Sequence, residues 1–197
     1  MECLSATVGN SKSDDQIYHD YLAGDQTAGD ELMLRYGDVL TAYLDAFLHH
    51  AQDAEDLVID CFTVILVKKP KIREGNFRAY LFKMARNMVN RLWKVRLRRQ
   101  EFSLDENLIE ILPADQGASS EDIFYKNERS TALQRCMNRI VPQYREALWL
   151  VYMMDLSYAD AAMVLGCGTK RVENLLNNGK TRLRKELEKE GITHADI

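Results

Sequence analysis

Proline and glycine are scarce in this chain of 197 residues, which has only three prolines and ten glycines. So few breakers exclude a collagen-like or low-complexity chain and leave room for long regular elements. Strand signals are missing too. There is no run of alternating β-branched residues and no Asn-Gly turn set between strand-like runs. No apolar stretch approaches the roughly 20 residues needed to cross a bilayer, so no membrane insertion is expected. The first residues, MECLSATVGNSKSDDQ, lack the charged-then-apolar order of a secretory leader; the expected location is cytoplasmic. The four cysteines, Cys3, Cys61, Cys136 and Cys167, lie far apart and form no C-x-x-C pair. They read as small buried thiols in a reducing compartment, and neither a metal site nor a cofactor is expected.

What the chain does have is segregated charge. Residues 82–99, FKMARNMVNRLWKVRLRR, hold seven lysines and arginines and no acid, although the whole chain is at −4. Residues 1–66 carry thirteen acids against only Lys12 and Arg35. The pattern then alternates, basic over 67–99, acidic over 101–128, basic again over 167–185. A solvated helix face normally mixes both signs. Two unmixed cationic blocks in an acidic chain point to a polyanion touched at two places.

Periodicity predicts helices almost throughout. The first runs from Asp14 to about Leu22. A second covers about Thr27–His50, with Leu32, Leu34, Val39, Leu40, Tyr43, Leu44, Phe47 and Leu48 as apolar positions. Asp53 is placed to cap the third, AEDLVIDCFTVILVKK, which stops before Pro70. PKIREGN is a loop, and a fourth helix covers about Phe77–Arg99. A broken acidic stretch, QEFSLDENLIEILPADQGASSED, reads as a linker. A second helical region begins near Ile123, where Leu133, Cys136, Met137 and Ile140 share a face that stops at Pro142. Helices over about Gln143–Met153, then LSYADAAMVLG capped by Ser157 and ended by Gly166, precede a last one with Val172, Leu175, Leu176 and Leu183 inward.

Two of these segments carry recognition chemistry. Two helices joined by the short turn GCG form a helix-turn-helix pattern, with Ala161 and Ala162 small enough for close approach. Its second helix presents Lys170, Arg171, Glu173, Asn174, Asn177, Asn178 and Lys180; cations meet phosphates and asparagine pairs with adenine. In 82–99, Phe82, Ala85, Met88, Val89 and Leu92 fall on one stripe. Lys83, Arg86, Asn87, Asn90, Arg91 and Lys94 spread over the rest, with Tyr80 and Trp93 among them. Cations hold a phosphate backbone while aromatic rings stack on bases.

The order of these parts resembles a bacterial sigma factor of the extracytoplasmic-function group. The residues that carry the resemblance are DYLAGDQTAGDELMLRYGDVLTAYLDAFLHHAQDAEDLVIDCF, then GNFRAYLFKMARNMVNRL, then IVPQYREALWLVYMMDLSYADAAMVLGCGTKRVENLL. They extend it over about Asp15–Leu187. The resemblance implies an all-α protein of two small helical domains joined by a flexible acidic linker, the second domain a helix-turn-helix. It implies a tail at 1–13, a region 2 domain at 14–100, a linker at 101–122, a region 4 domain at 123–190 and a tail at 191–197. It further implies core RNA polymerase and promoter DNA as partners, an anti-sigma factor as regulator, and no catalytic activity.

Residue by residue, Asp53, Glu55, Asp56, Ile59 and Asp60 match the polymerase-gripping segment, with Ile59 where the family usually has Gln. The minus-ten reader corresponds to Asn76, Phe77, Arg86, Asn87, Asn90 and Arg91, with Lys94, Arg96 and Arg98 on phosphates. Arg91 stands where Asp is frequent. The minus-thirty-five reader corresponds to Lys170, Arg171, Glu173, Asn174, Asn177, Asn178 and Lys180; family members tend to be basic where this chain has Glu173, Leu175 and Asn178. The alternative is a free-standing helix-turn-helix regulator acting on duplex DNA without polymerase. A metal-dependent hydrolase built on HHAQDAED is a remote third, because Asp53 and Asp56 have ordinary capping and solvent roles.

Overall fold

The computed structural model describes residues 12–101 and 128–192. Cys3, both tails as far as residues 1–11 and 193–197, and the acidic linker with the start of the second region lie outside the described residues. Among the described residues every regular element is helical. The elements are α1 Asp14–Leu22, α2 Gln26–Leu48, α3 Ala51–Lys68, α4 Phe77–Glu101, α5 Glu128–Arg139, α6 Pro142–Leu148, α7 Tyr158–Leu165 and α8 Thr169–Lys189.

The helix ends follow local chemistry. Ser13 accepts from the Gln16 amide while the Gln16 side chain accepts from the Ser13 amide, a reciprocal cap for α1. Asp25 caps α2 through the Thr27 amide. Asp53 does not cap α3. His49 closes α2 in the left-handed region (φ 51°), α3 begins two residues later, and the His50 ring accepts from the Asp53 amide instead. The predicted helix over Gln143–Met153 also changes character. It is α-helical to Leu148 and then winds as a π-helical turn over Trp149–Met153, with the Met154 amide reaching back to the Trp149 carbonyl.

The α1–α4 module packs around Leu32, Leu40, Tyr43, Leu44, Phe82 and Ile65, all at most 1% exposed. The loop before α4 is tied down by two tyrosines: Tyr18 donates to the Pro70 carbonyl and Tyr21 to the Leu66 carbonyl, each at 2.7 Å. Burial pushes the Tyr18 hydroxyl up to about 12, so it stays a donor. Leu34, expected inward, is 85% exposed. Tyr36 takes the inward place in that turn, because its hydroxyl donates to Asp14 at 2.5 Å and its ring lies 6.0 Å from that of Phe77.

In the α5–α8 module Cys136, Ile140, Leu150, Val164, Val172 and Leu176 form the core, whereas Leu133 of the expected α5 face is 39% exposed. α7 and α8 make the helix-turn-helix. Ser157 caps α7, and Gly166 ends it at φ 67°, a conformation that costs an L side chain energy. α8 crosses α6 closely. A β-carbon on Gly179 would stand 3.1 Å from Leu148.

The two modules share one continuous apolar core. α4 packs on α7, and polar bonds stitch the seam. Arg78 of α4 donates to the Met154 carbonyl at 3.1 Å and to the Tyr36 hydroxyl. A cleft of about 280 Å³ lined by Asp14, Arg35, Tyr36, Arg78, Met153 and Met154 opens along that seam.

Candidate nucleic-acid interface

α4 sorts its residues by face. Phe82, Ala85 and Val89 are buried, and Met88 and Leu92 half-buried, as the periodicity predicts. Lys83, Asn87, Asn90, Arg91, Lys94 and Arg98 are all exposed. Their spacing is helical, so they share one stripe, about 22 Å long at 1.5 Å per residue. It carries cations and amides and no acid. Lys83 belongs to it although the sequence singled it out only as a solvated cation.

Three candidates of the minus-ten set stand elsewhere. Phe77 is 1% exposed, wedged between the rings of Tyr18 and Tyr36, and so anchors the loop to the core instead of offering a stacking surface. An aromatic residue at a loop–helix junction carries the same sequence signature in either role. Arg86 is half-buried and its Nε donates to Glu146 at 2.7 Å. Arg96 pairs with Asp53 and lies 5.8 Å from the centre of the Trp93 ring. Asn76 is half-buried at the loop end, its side chain 3.4 Å from the Glu74 carbonyl.

α3 shows a second surface. Ala54, Leu57, Val58, Cys61, Phe62 and Ile65 face the core. Glu55, Asp56 and Asp60 are exposed, as are Ile59 at 62% and Val67 at 74%. Acids with two unsheltered aliphatics on one face suit a partner of opposite charge that also has apolar ground. Asp53 is withdrawn from this face by Arg96 and by His50, 3.3 Å away. Those contacts give the HHAQDAED segment a structural account. Among the described residues no group of three His, Cys, Asp or Glu side chains could hold a metal ion.

α8 is the third surface. Lys170, Arg171, Glu173, Asn174, Asn177, Asn178 and Lys180 are all exposed, while Val172, Leu175, Leu176 and Gly179 face inward. Lys180 sits 4.8 Å over the Tyr152 ring. Further along, Arg182, Arg184 and Lys185 are exposed as well and extend the cationic face beyond the residues that sequence reasoning named.

The family model for Sigma-70 region 2 matches residues 32–101, which contain α3 and α4, and the model for Sigma-70 region 4 matches residues 130–183, which contain the helix-turn-helix. The chain belongs to the extracytoplasmic-function sigma factors. Among its relatives, the sigma factor SigE of Mycolicibacterium smegmatis is 25% identical over 84% of this chain, which spans 65% of that protein's length. The sigma-H factor of Pseudomonas aeruginosa is 25% identical over 90% of this chain and 95% of its own. YlaC of Bacillus subtilis is 24% identical over 81% and 92%. The fold resembles that of CnrH in complex with the cytosolic domain of CnrY, with a TM-score of 0.62 at 22% identity, over 90% of this chain and 98% of that one. It also resembles the sigma factor RpoE bound to the anti-sigma factor NepR from Bartonella quintana, with a TM-score of 0.60 at 23% identity, over 81% and 96%. Among the described residues of this sigma factor no helix is long and apolar enough to cross a membrane.

Proposed function

We propose that this sigma factor docks on core RNA polymerase through the exposed stripe of α3 and carries promoter DNA on α4 and α8. The observation that carries the reading is the acid-free stripe of Lys83, Asn87, Asn90, Arg91, Lys94 and Arg98 on a helix rooted in the core. Such a stripe holds a single strand by its phosphates while amides meet base edges. Capturing unstacked bases offsets part of the cost of opening the duplex. The faces divide the work: Glu55, Asp56, Ile59 and Asp60 for polymerase, α4 for the minus-ten element, α8 for the minus-thirty-five element. Residues 14–100 act as the region 2 domain and 123–190 as the region 4 domain, with 101–122 between them. The protein works in the cytoplasm, takes no catalytic step of its own, and is regulated by an anti-sigma factor that covers these surfaces. Relatives of the same fold are held in such complexes. A free-standing regulator would have no use for a separate acidic-apolar face on α3.

Asp56→Arg reverses charge at the centre of that face without touching the core. The expected result is loss of core polymerase in a pull-down, with unchanged circular dichroism. Undiminished polymerase capture and unaltered start-site selection in runoff transcription would overturn the reading.

A further inference from the structure

The Arg86–Glu146 contact joins the two modules at a built site. Glu146 of α6 is 8% exposed and Tyr43 of α2 only 1% exposed. The Tyr43 hydroxyl donates to Glu146 Oε1 at 3.0 Å, and Arg86 Nε donates to the same oxygen at 2.7 Å. Both donors come from the first module and converge on one oxygen. This is the geometry that receives any anionic oxygen, a phosphate as well as a carboxylate. Burial and the neighbouring carboxylate hold the Tyr43 hydroxyl well above its ordinary range, so it remains a donor.

The seam around this site is not chemically content. Arg145, next in the chain, is 5% exposed; its Nη1 donates to Asn138 at 3.0 Å and its guanidinium lies 5.7 Å from the centre of the Phe47 ring. Its Nε and the Trp149 indole N–H are buried without an acceptor among the described residues. Burial alone lowers the Arg145 pKa. A buried ion pair is worth little over its hydrated parts, and orphaned donors count against the closed form. Separating the modules would hydrate Arg86, Arg145 and Glu146 together. Arg86 meanwhile belongs to the helix whose exposed stripe is cationic.

We propose that Tyr43 and Arg86 form an anion seat that Glu146 fills in this arrangement and that a backbone phosphate of single-stranded DNA fills once the α5–α8 module swings away. Glu146 is then an internal competitor of nucleic acid, and Tyr43 a DNA-binding residue. The proposal rests on the assignment of α4 to DNA, but its test needs no polymerase, so its failure is distinct from failure of the docking reading.

The probe is fluorescein-labelled (dT)15 and the protein is the full chain. Glu146→Gln should tighten binding about tenfold, the worth of one charge-assisted contact. It should also steepen the log–log salt dependence by about 0.7, one more phosphate on a single strand. Adding Tyr43→Phe to Glu146→Gln should reverse much of that gain. A second measurement needs no variant: amide exchange over 145–150 in the wild-type chain should accelerate when (dT)15 is saturating. Equal affinity of Glu146→Gln and wild type would overturn the proposal. So would undiminished amide protection of 145–150 at saturating (dT)15, which decides the matter even should the variant fail to fold.

Discussion

Asp53 on α3 neutralises Arg96 on α4. One carboxylate of the polymerase-facing set thereby holds one cation of the DNA-facing set, and the Trp93 ring backs the same guanidinium. The two surfaces are thus coupled through a single partly exposed ion pair, with Asp53 serving the geometry of α4 more than a partner.

Breaking that pair should cost little stability and release a cation. Partly exposed ion pairs contribute up to about 1 kcal/mol. Asp53→Asn should therefore shift the urea midpoint only slightly while strengthening single-stranded DNA binding a few-fold. An anisotropy titration at several salt concentrations checks it. Weaker binding in the variant would mean that Arg96 stays out of reach of the backbone.

Two glycines of α2 should respond to the same substitution with opposite signs. A β-carbon on Gly29 would stand 3.0 Å from the Tyr21 ring and 3.3 Å from Leu66, and the Tyr21 hydroxyl is tied to the Leu66 carbonyl. The ring cannot yield freely, so overpacking of roughly 1–3 kcal/mol outweighs the helix-propensity gain of about 1 kcal/mol. Gly37 meets nothing within 4 Å. Gly29→Ala should lower the denaturation midpoint and Gly37→Ala raise it, by about 0.5–1 kcal/mol in the latter case.

Removing Asn87 and Arg91 together should abolish promoter opening while sparing polymerase binding. Both side chains lie on the exposed stripe and neither supports the core. Permanganate reactivity of thymines in the bubble reads the opening, and gel filtration with core enzyme reads the binding. Normal reactivity in Asn87→Ala/Arg91→Ala would remove these residues from the minus-ten reader.

Alkali should unfold the chain earlier than lysine and surface tyrosine chemistry would demand. The Tyr18 hydroxyl is pushed up to about 12 by burial, and Tyr36 and Tyr43 are raised as well, burial again being the first cause. The unfolded chain loses these protons near pH 10 and the folded chain holds them. Stability is therefore fully present below pH 10 and falls as pH rises from 10 towards 12. Urea midpoints at pH 8 and pH 11 should differ, and Tyr18→Phe should narrow the difference.

How far the fold could be read in advance depended on the range of the interactions. Ser157, Gly166 and the buried stripe of Phe82, Ala85 and Val89 are local patterns, and the structure has them where periodicity and capping put them. Leu34 and Leu133 fit a helical period equally well, but which flank of a helix is covered is settled by the partner. Tyr36 took the inward place because Asp14 and Phe77 were there to meet it. His50 displaced Asp53 as cap because left-handed His49 shortened the link between α2 and α3. The stripe on α4 was visible because charge is written directly in sequence. Its loss of Arg86 to Glu146 was not, since 60 residues separate the two and neither flank announces the other.

The π-helical turn at Trp149–Met153 holds one more residue than an α-helical turn over the same rise. Deleting a single residue there would let the segment rewind as ordinary helix, and everything downstream would rotate by about 100° about its axis. The promoter-reading helix would keep its own sequence and lose its aim, so evolution can retune where α8 points by insertion or deletion at a place that touches no DNA.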